Sequence, residues 1–205
     1  MWTDHAKIMF LVSGDSFTAP YGGKCWFEHL NYGKRVLNKA WHGAGNFYIA
    51  DSIKRTVLAN HKIIKKVIIL WSEFYRYDML VEKPIDKFSV KVPEGYWQFC
   101  SPNRGYKKWK LFFEPVYRDL TFEKVIELSK AQIFETHTML DEYQINYNFG
   151  FVYDDELNKD FIDHAKYIPI TFRTFVKENK LEGDDKHHPS AEGHQAYAEA
   201  IRPFL

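Results

Sequence analysis

Two continuous apolar runs constrain the fold of this chain more than any other feature. Residues 7–12 read KIMFLV, and residues 67–71 read VIILW. Because neither run alternates with polar residues, each favours a strand that is buried on both faces. Strands covered on both faces occur where helices pack on either side of a parallel sheet.

Helical segments separate the predicted strands in the first 75 residues. Residues 25–32 (CWFEHLNY) predict a short helix, and a second short strand is expected around residues 36–37. Residues 46–60 carry apolar side chains at helical spacing, namely Phe47, Ala50, Ile53 and Val57. The resulting order of strand, helix, strand, helix and strand predicts a doubly wound α/β sheet with parallel strands.

The remainder of the chain continues this pattern after one interruption. Residues 80–118 are rich in Pro, Gly and Tyr, and we interpret them as an insertion or lid within a single domain of residues 1–205. A helix is expected from Thr121 to about Tyr143, followed by a strand within YQINYNFGFVY. The last helix is expected to begin near Pro189.

The net charge gives no sign of a polyanionic partner. The 205 residues include 28 Lys or Arg and 27 Asp or Glu, which gives a net charge of +1. A balance this even gives no indication of the basic face that nucleic acids and anionic membranes bind. No run approaches the roughly 18 apolar residues of a membrane span. We therefore expect no nucleic-acid or membrane partner, and the oligomeric state stays open.

The N-terminus and the cysteines predict a cellular compartment. Residues 1–5 lack the basic start and apolar stretch of a signal peptide. Cys25 and Cys100 show neither CxxC nor zinc-type spacing, so reduced thiols are expected rather than a disulfide framework. These features predict a cytoplasmic protein, and association with a virus particle is compatible with them.

A short polar stretch, Gly14-Asp15-Ser16, follows the first predicted strand. In open α/β sheets ligands bind outside the carboxyl ends of the strands, so Ser16 is expected at the ligand-binding rim. A nucleophilic serine needs a base within reach and a carboxylate that orients the base. The alternative is an ordinary turn residue or helix cap. We expect Asp15 to hold the turn through hydrogen bonds to backbone amides.

The other end of the chain supplies a base and a carboxylate. Asp185 precedes His188 by three residues, a spacing that brings two side chains to the same side of a turn. The carboxylate can then orient the imidazole while its other nitrogen faces a hydroxyl. Asp184 and His187 have the same spacing, and the DDKHH stretch also suits a loose metal cluster, although we expect no metal. His194 is interpreted as a structural histidine near the core.

Together these motifs resemble those of the GDSL or SGNH hydrolases. A GDSF block after the first strand, a Gly-containing block after the second and a terminal DxxHPS…GH block follow the family's order over most of the chain. The resemblance implies a flavodoxin-like α/β/α sandwich in which Ser16 is the nucleophile and Asp185 and His188 complete the triad. The proline that follows the histidine favours His188 over His187. The family's usual substrates are esters, which include lipids, acylated sugars and thioesters. We expect no cofactor.

The same resemblance implies an oxyanion hole with three donors. They are the amide of the serine, a glycine amide in the second block and an asparagine side chain in the third. The stretch NKAWHGAGN matches the second block and places Gly43 at the glycine position, with Gly45 as the alternative and Asn46 beside it. Glycine also suits a tight turn and allows close backbone approach.

The third block departs from the family pattern. After VIIL the chain reads WSEFYR, so that Ser72 stands at the family's glycine position and Phe74 at its asparagine position. A phenyl ring cannot donate a hydrogen bond. Divergent SGNH-like proteins, including some from phages, show a similar strand followed by W-[S/T]-x-x-x-R, and this resemblance implies Ser72 or Arg76 as a replacement donor here. Binding of an anionic substrate group and a structural ion pair are the alternatives for Arg76.

Three functions fit these motifs. The first is a serine esterase that hydrolyses small acyl esters, for which an O-acetyl group on a carbohydrate is a suitable substrate. Aromatic residues of the insertion suit stacking on sugars, namely Tyr96, Trp97, Tyr106 and Trp109. The second is an acyltransferase to a sugar hydroxyl, and the third is a non-catalytic binding or structural module of a virus particle.

Overall fold

The apolar runs of the sequence form the centre of a parallel sheet in the computed structural model of the protein. The structure describes residues 9–19, 23–30, 35–81, 85–87, 90–92, 95–99 and 121–205. In chain order the elements are β1 (Met9–Ser13), α1 (Trp26–His29), β2 (Arg35–Asn38), α2 (Asn46–Asn60), β3 (Ile64–Trp71), β4 (Tyr77–Val81), β5 (Ile85–Lys87), β6 (Val90–Val92), β7 (Gly95–Phe99), α3 (Phe122–Glu142), β8 (Asn146–Phe151), α4 (Phe172–Glu178) and α5 (Ala191–Ile201). Two 3-10 helices, Glu156–Phe161 and Arg202–Phe204, complete the described chain.

Four of the described strands make the central sheet, in the order β2-β1-β3-β8. All three pairings are parallel, and Leu11 of β1 lies opposite Leu37 of β2 and Val67 of β3. A single parallel bridge between Phe149 and Tyr167 continues the sheet beyond β8. This order is that of a doubly wound, flavodoxin-like sheet, so the predicted parallel α/β architecture is confirmed.

Consecutive residues of the central strands enter different core clusters. One cluster joins β1 and β3 to α2 and α3 through side chains that include Leu11, Ile53, Val57, Val67, Ile69, Trp71, Ile133 and Leu140. The other joins the same strands to α1, α4 and α5 through side chains that include Val12, Trp26, Ile68, Leu70, Phe172, Val176, Tyr197 and Ile201. Helices therefore cover both faces of the sheet, which explains why its strands read as unbroken apolar runs.

The helix boundaries follow the sequence signals closely. α2 spans the predicted residues 46–60, and α3 begins after Thr121, whose hydroxyl accepts from the Lys124 amide at 3.2 Å. The last helix begins later than expected, since Ser190 is its N-cap and accepts from the Gly193 amide at 3.1 Å. A hydroxyl cap satisfies an amide at the helix start that lacks an intrahelical partner. None of the described helices is both long and apolar enough to cross a membrane.

The described part of the predicted insertion lies between β3 and α3 and consists of two antiparallel strand pairs. β4 pairs with β7, and β5 pairs with β6. The remaining residues of the predicted range 80–118, with Cys100, Tyr106 and Trp109, lie outside the described residues. The role of this insertion as a lid stays a prediction.

The chain turns back sharply where β1 ends, at Gly14. A Cβ atom at Gly14 would lie 2.5 Å from the Thr18 hydroxyl oxygen and 3.1 Å from the Leu70 carbonyl oxygen. The turn itself is closed by the Thr18 and Ala19 amides, which both donate to the Asp15 carbonyl oxygen at 2.9 Å. Glycine is therefore required at this strand end because the next turn packs against it.

Replacing Gly14 by alanine is expected to lower the free energy of unfolding by about 1–3 kcal/mol, because the added methyl group overpacks this turn. Urea denaturation followed by circular dichroism measures the change. Gly23→Ala is the matched control, since among the described residues no heavy atom lies within 4 Å of a Cβ placed there. Equal stability of the two variants would contradict the steric argument.

Candidate active site

Ser16 lies in the turn that follows β1, at the carboxyl end of the strand. Its neighbours Asp15 and Phe17 are buried, whereas Ser16 is partly exposed. The turn therefore anchors itself through the flanking side chains and leaves the Ser16 hydroxyl at the rim of the sheet. This is the position at which ligands bind in open α/β folds.

The structure brings Ser16 together with two residues from the other end of the chain. His188 Nε2 lies 3.0 Å from Ser16 Oγ, across a sequence separation of 172 residues. His188 Nδ1 lies 2.5 Å from Asp185 Oδ2. A hydroxyl, an imidazole and a carboxylate thus stand in the geometric relation that activates a serine for nucleophilic attack.

A tight loop fixes the relation between Asp185 and His188. Asp185 Oδ1 accepts from the amides of His187 and His188, each at 2.8 Å, while its second oxygen contacts the His188 ring. The amide and the ring of His188, together with the amide of His187, hold the pKa of Asp185 well below its usual range. Asp185 is therefore an anion across the neutral range, which favours the tautomer of His188 with its proton on Nδ1.

Arg173 of α4 supports this loop and is a residue that the sequence motifs do not predict. Its guanidinium donates to the His187 carbonyl oxygen at 2.6 Å and to the Lys186 carbonyl oxygen at 3.1 Å. It also pairs with Glu182 at 3.1 Å. The loop includes a left-handed residue, Lys186, with a φ of 56°. No sequence pattern marks a single helical arginine for such a role, because its acceptors are backbone carbonyls.

The other histidines near the end of the chain, His187 and His194, do not hydrogen-bond to Ser16 in the structure. The ring of His187 is exposed, and the histidine whose ring reaches Ser16 is His188. His194 is buried on α5 with its ring 5.5 Å from that of Phe172, and burial lowers its pKa to about 4. Within the described ranges, no three His, Cys, Asp or Glu side chains are grouped to hold a metal ion.

Asp15 is buried and fastens the Ser16 turn to the segment after β3. Its Oδ1 accepts from the Phe17 amide at 2.9 Å. Its Oδ2 accepts from the Ser72 hydroxyl at 3.2 Å and from Arg76 Nη1 at 3.1 Å. Burial raises the pKa of Asp15, and the charge of Arg76 and the hydrogen bonds act against this rise. Both side chains expected as replacement oxyanion donors are thus bonded to Asp15.

Gly43 lies in a turn that is tied to the serine turn. The Trp41 amide donates to the Gly14 carbonyl oxygen at 3.1 Å, and the Ala44 amide closes the turn on the Trp41 carbonyl at 3.0 Å. Gly43 has a φ of 75°, the left-handed value that the third position of a type II turn requires. Within the described part of the chain, the amides of Ser16 and Gly43 have no acceptor.

Gly45 and Asn46, which were also predicted to contribute to the oxyanion hole, make other hydrogen bonds in the structure. The Gly45 amide, expected as the alternative oxyanion donor, donates instead to Asp78 Oδ1 at 3.0 Å. The Asn46 side chain accepts from the Ser72 amide at 2.8 Å and donates to the Ser129 hydroxyl at 2.8 Å. Asp78 caps the start of α2 and Asn46 joins α2 to the end of β3, so both predicted groups hold secondary structure together.

Phe74, at the position where the SGNH motif resemblance places an asparagine, is part of the core. Its side chain is 1% exposed, and its ring lies 5.5 Å from that of Phe151 and 6.1 Å from that of Phe161. Offset and tilted aromatic contacts at these distances stabilise such a cluster. The departure in the third block is therefore structural, because the backbone turns this side chain away from the surface.

A cleft of about 380 Å³ lies beside the Gly43 turn. Its lining residues are Ala19, Asn38, Lys39, Ala40, Trp41, His42 and Tyr48. Trp41 is 62% exposed at this edge, and Ala19 belongs to the serine turn. Since the Trp41 amide is bonded to Gly14, the cleft opens directly beside the strand end that carries Ser16.

Phe74→Asn introduces the asparagine of the SGNH motif at this position, and we expect it to reduce the free energy of unfolding. The amide would be buried among phenyl rings without hydrogen-bond partners, and the lost packing adds to this cost, about 3 kcal/mol or more in total. Urea denaturation measures the loss. Leu58→Ala, at an exposed position on α2, is the control. If the Phe74→Asn variant is as stable as the wild type, this side chain can reach a polar site and the argument fails.

Comparison with known proteins shows what the fold is similar to. No protein-family model matches the sequence, and no curated protein is significantly similar to it. Among solved structures, the lipase Lip_vut3 from a goat rumen metagenome has a TM-score of 0.53 at 13% identity and covers 96% of this chain and 97% of its own. The psychrotrophic esterase EstA from Pseudoalteromonas sp. has a TM-score of 0.54 at 10% identity, covering 95% and 94%. TesA has a TM-score of 0.52 at 12% identity, covering 96% and 97%. Over nearly its whole length, the chain shares the fold of these proteins.

Proposed function

We propose that this protein is a serine ester hydrolase of the SGNH type. The observation that carries the proposal is the chain of contacts from Ser16 Oγ through His188 to Asp185, with separations of 3.0 and 2.5 Å. The similarity in fold to a lipase and an esterase over almost the full chain supports the same reaction class. Since fold alone does not determine function, the geometry of these three side chains is the main support.

In the proposed mechanism, Ser16 Oγ attacks the carbonyl carbon of the ester while His188 Nε2 accepts its proton. Asp185 stabilises the imidazolium that forms. The amides of Ser16 and Gly43 bind the oxyanion of the tetrahedral intermediate. When the intermediate collapses, the alcohol leaves with the proton from His188, and an acyl group remains on Ser16. A water molecule then attacks this acyl group, with His188 again acting as base.

The exposure of the site supports hydrolysis over transfer to another alcohol. The side chains of His188 and Asp185 are 30% and 43% exposed, so water can reach the acyl group on Ser16. An acyltransferase has to keep water away from this intermediate, because water would otherwise compete with the acceptor. The described residues around His188 form no such cover.

Covalent labelling of Ser16 tests the proposal. The structure of EstA is that of the enzyme inhibited by monoethylphosphonate, which makes a phosphonate probe a suitable choice. We expect a fluorophosphonate to modify Ser16, as located by mass spectrometry, and the protein to hydrolyse p-nitrophenyl acetate. Ser16→Ala is expected to abolish labelling and to lower kcat by about 10⁴-fold or more. Ser52→Ala, on α2, is the matched control and is expected to retain both activities.

Two results would overturn this proposal. One is a folded wild-type protein that neither hydrolyses the ester nor reacts with the probe, which would favour the binding module instead. The other is a Ser16→Ala variant that retains the wild-type rate, because a nucleophile cannot be removed without loss of the covalent route.

We further propose a carbohydrate ester as the substrate, with the sugar in the cleft beside the Gly43 turn. Trp41 presents an exposed indole there, and indole faces suit the apolar faces of sugar rings. The cleft adjoins the serine turn through Ala19, so a sugar in it can present an O-acetyl group to Ser16. The aromatic side chains of the insertion are predicted to serve the same class of ligand.

Trp41→Ala is expected to raise KM for an acetylated oligosaccharide by about threefold to tenfold, which corresponds to the loss of one aromatic contact. Hydrolysis of p-nitrophenyl acetate, which has no sugar, should change by less than about twofold. Steady-state kinetics with both substrates measures the difference, and Leu58→Ala is the control for loss of an exposed apolar side chain. Equal changes for both substrates, or no change for either, would rule out this sugar site.

A further inference from the structure

The segment after β3 has a polar network that the proposed mechanism does not use. This segment begins at Ser72, and two of its side chains, Ser72 and Arg76, bond to Asp15, the residue before the proposed nucleophile. Arg76 Nη1 lies 3.1 Å from Asp15 Oδ2, and Arg76 Nε lies 2.9 Å from Glu73 Oε2. The other Glu73 oxygen accepts from the Tyr75 hydroxyl at 2.5 Å. The network therefore connects the end of β3 to the turn after β1.

The guanidinium of Arg76 is directed into the protein. Its Nη2 donates to the Tyr153 hydroxyl at 3.4 Å, so each of its three nitrogens has a protein acceptor. The Arg76 side chain is only 16% exposed. Burial would lower the pKa of Arg76, but the charges of Asp15 and Glu73 outweigh it and hold the pKa above its usual value. An arginine bonded in this way is a fixed structural cation, and it is poorly placed to bind a substrate anion.

Asp15 links Arg76 to the serine turn, because its carboxylate bonds both to Arg76 and to the Phe17 amide. Its side chain is fully buried, and a buried carboxylate is stable only where partners compensate for the lost water. Arg76 and Ser72 supply this compensation at Oδ2, which leaves Oδ1 to accept from the Phe17 amide. The residues on both sides of Ser16 are thus held by one carboxylate, and that carboxylate is held by Arg76.

We propose that Arg76 is a positioning residue for Ser16, which it orients toward His188 by fixing Asp15. This inference rests on the proposed role of Ser16 as the nucleophile. It gives the divergent third segment a function, since Arg76 orders the serine turn where the family's segment supplies an oxyanion donor. Displacing a reacting atom by about 1 Å can reduce a rate by about 10²-fold, so the position of this turn affects catalysis.

The proposal has a pH signature. The groups that face Asp15 are Arg76, Ser72 and Glu73 from the segment after β3, with Tyr153 after β8 on the far side of Arg76. Burial and the Glu73 charge raise the pKa of Asp15 while the Arg76 charge lowers it, so removal of the cation raises this pKa further. Activity that needs the Asp15 carboxylate is lost as pH falls through this pKa. The acid limb of the rate profile therefore moves to higher pH in a variant that lacks the cation.

Arg76→Gln and Arg76→Lys test the proposal, with Arg55→Gln as the matched control. Arg55 pairs with Asp51 at 2.7 Å on α2 and is distant in sequence from the triad. For Arg76→Gln we expect kcat and the rate of fluorophosphonate labelling to fall by about 10- to 100-fold, with KM within about twofold of wild type. The lysine variant should recover part of this loss. Arg55→Gln should retain the wild-type rate and acid limb.

A crystal structure of Arg76→Gln gives a readout that does not depend on activity. The distance from Ser16 Oγ to His188 Nε2 is expected to exceed about 3.5 Å, beyond hydrogen-bond reach, compared with 3.0 Å in the wild type. If the glutamine variant fails to fold, the lysine variant provides the same two measurements. Wild-type kcat with an unmoved acid limb, or an unchanged Ser16–His188 distance, would overturn the inference. A wild-type protein without esterase activity would instead overturn the proposed function, and the distance would still decide the role of Arg76.

Discussion

The buried carboxylate of Asp15 is the interaction on which the rest of the candidate site depends. It joins the turn after β1 to the segment after β3, and through Arg76 to Tyr153 after β8. These three segments leave the sheet at the same edge because their strands are parallel and adjacent. A buried anion cannot lose one partner without leaving its charge uncompensated, so this contact resists rearrangement. The Ser16 turn thereby gains an order that a surface loop would lack.

The fold was predictable because strands that are buried on both faces of a sheet are apolar at every position, and this pattern is visible in the sequence. Ile68 and Ile69 enter opposite core clusters, so the strand that carries them shows no alternation. The 3-10 helix Glu156–Phe161 and α4 were not predicted, since each is short and neither has a long amphipathic repeat. Such elements are stabilised by packing on a sheet that is already formed, as the buried Phe172 of α4 illustrates.

The site was predictable where spacing along the chain carries the chemistry. Asp185 and His188 lie three residues apart, and the structure places their side chains in contact as that spacing suggested, whereas the approach of His188 to Ser16 was expected only from the resemblance to a family. Arg173 was missed because its acceptors are backbone carbonyls that any sequence provides. The alternative donor Gly45 proved to be engaged by Asp78, a contact across 33 residues that no local pattern records. Local motifs thus identify reactive groups, whereas the groups that support them arise from tertiary contacts.

The turn at Gly43 gives the candidate active site an unusual relation to its own sequence. If the two oxyanion donors are the amides of Ser16 and Gly43, both belong to the main chain, and neither depends on side-chain chemistry. Every residue except proline supplies the same amide, so such an oxyanion hole constrains the backbone conformation and not the side chains. At Gly43 the constraint is a φ of 75°, which glycine adopts readily. The side chains of the surrounding segments are then free to diverge while the reaction is retained. Under the proposed function, such a site could keep its reaction while its sequence diverges from the motifs of other SGNH-type proteins.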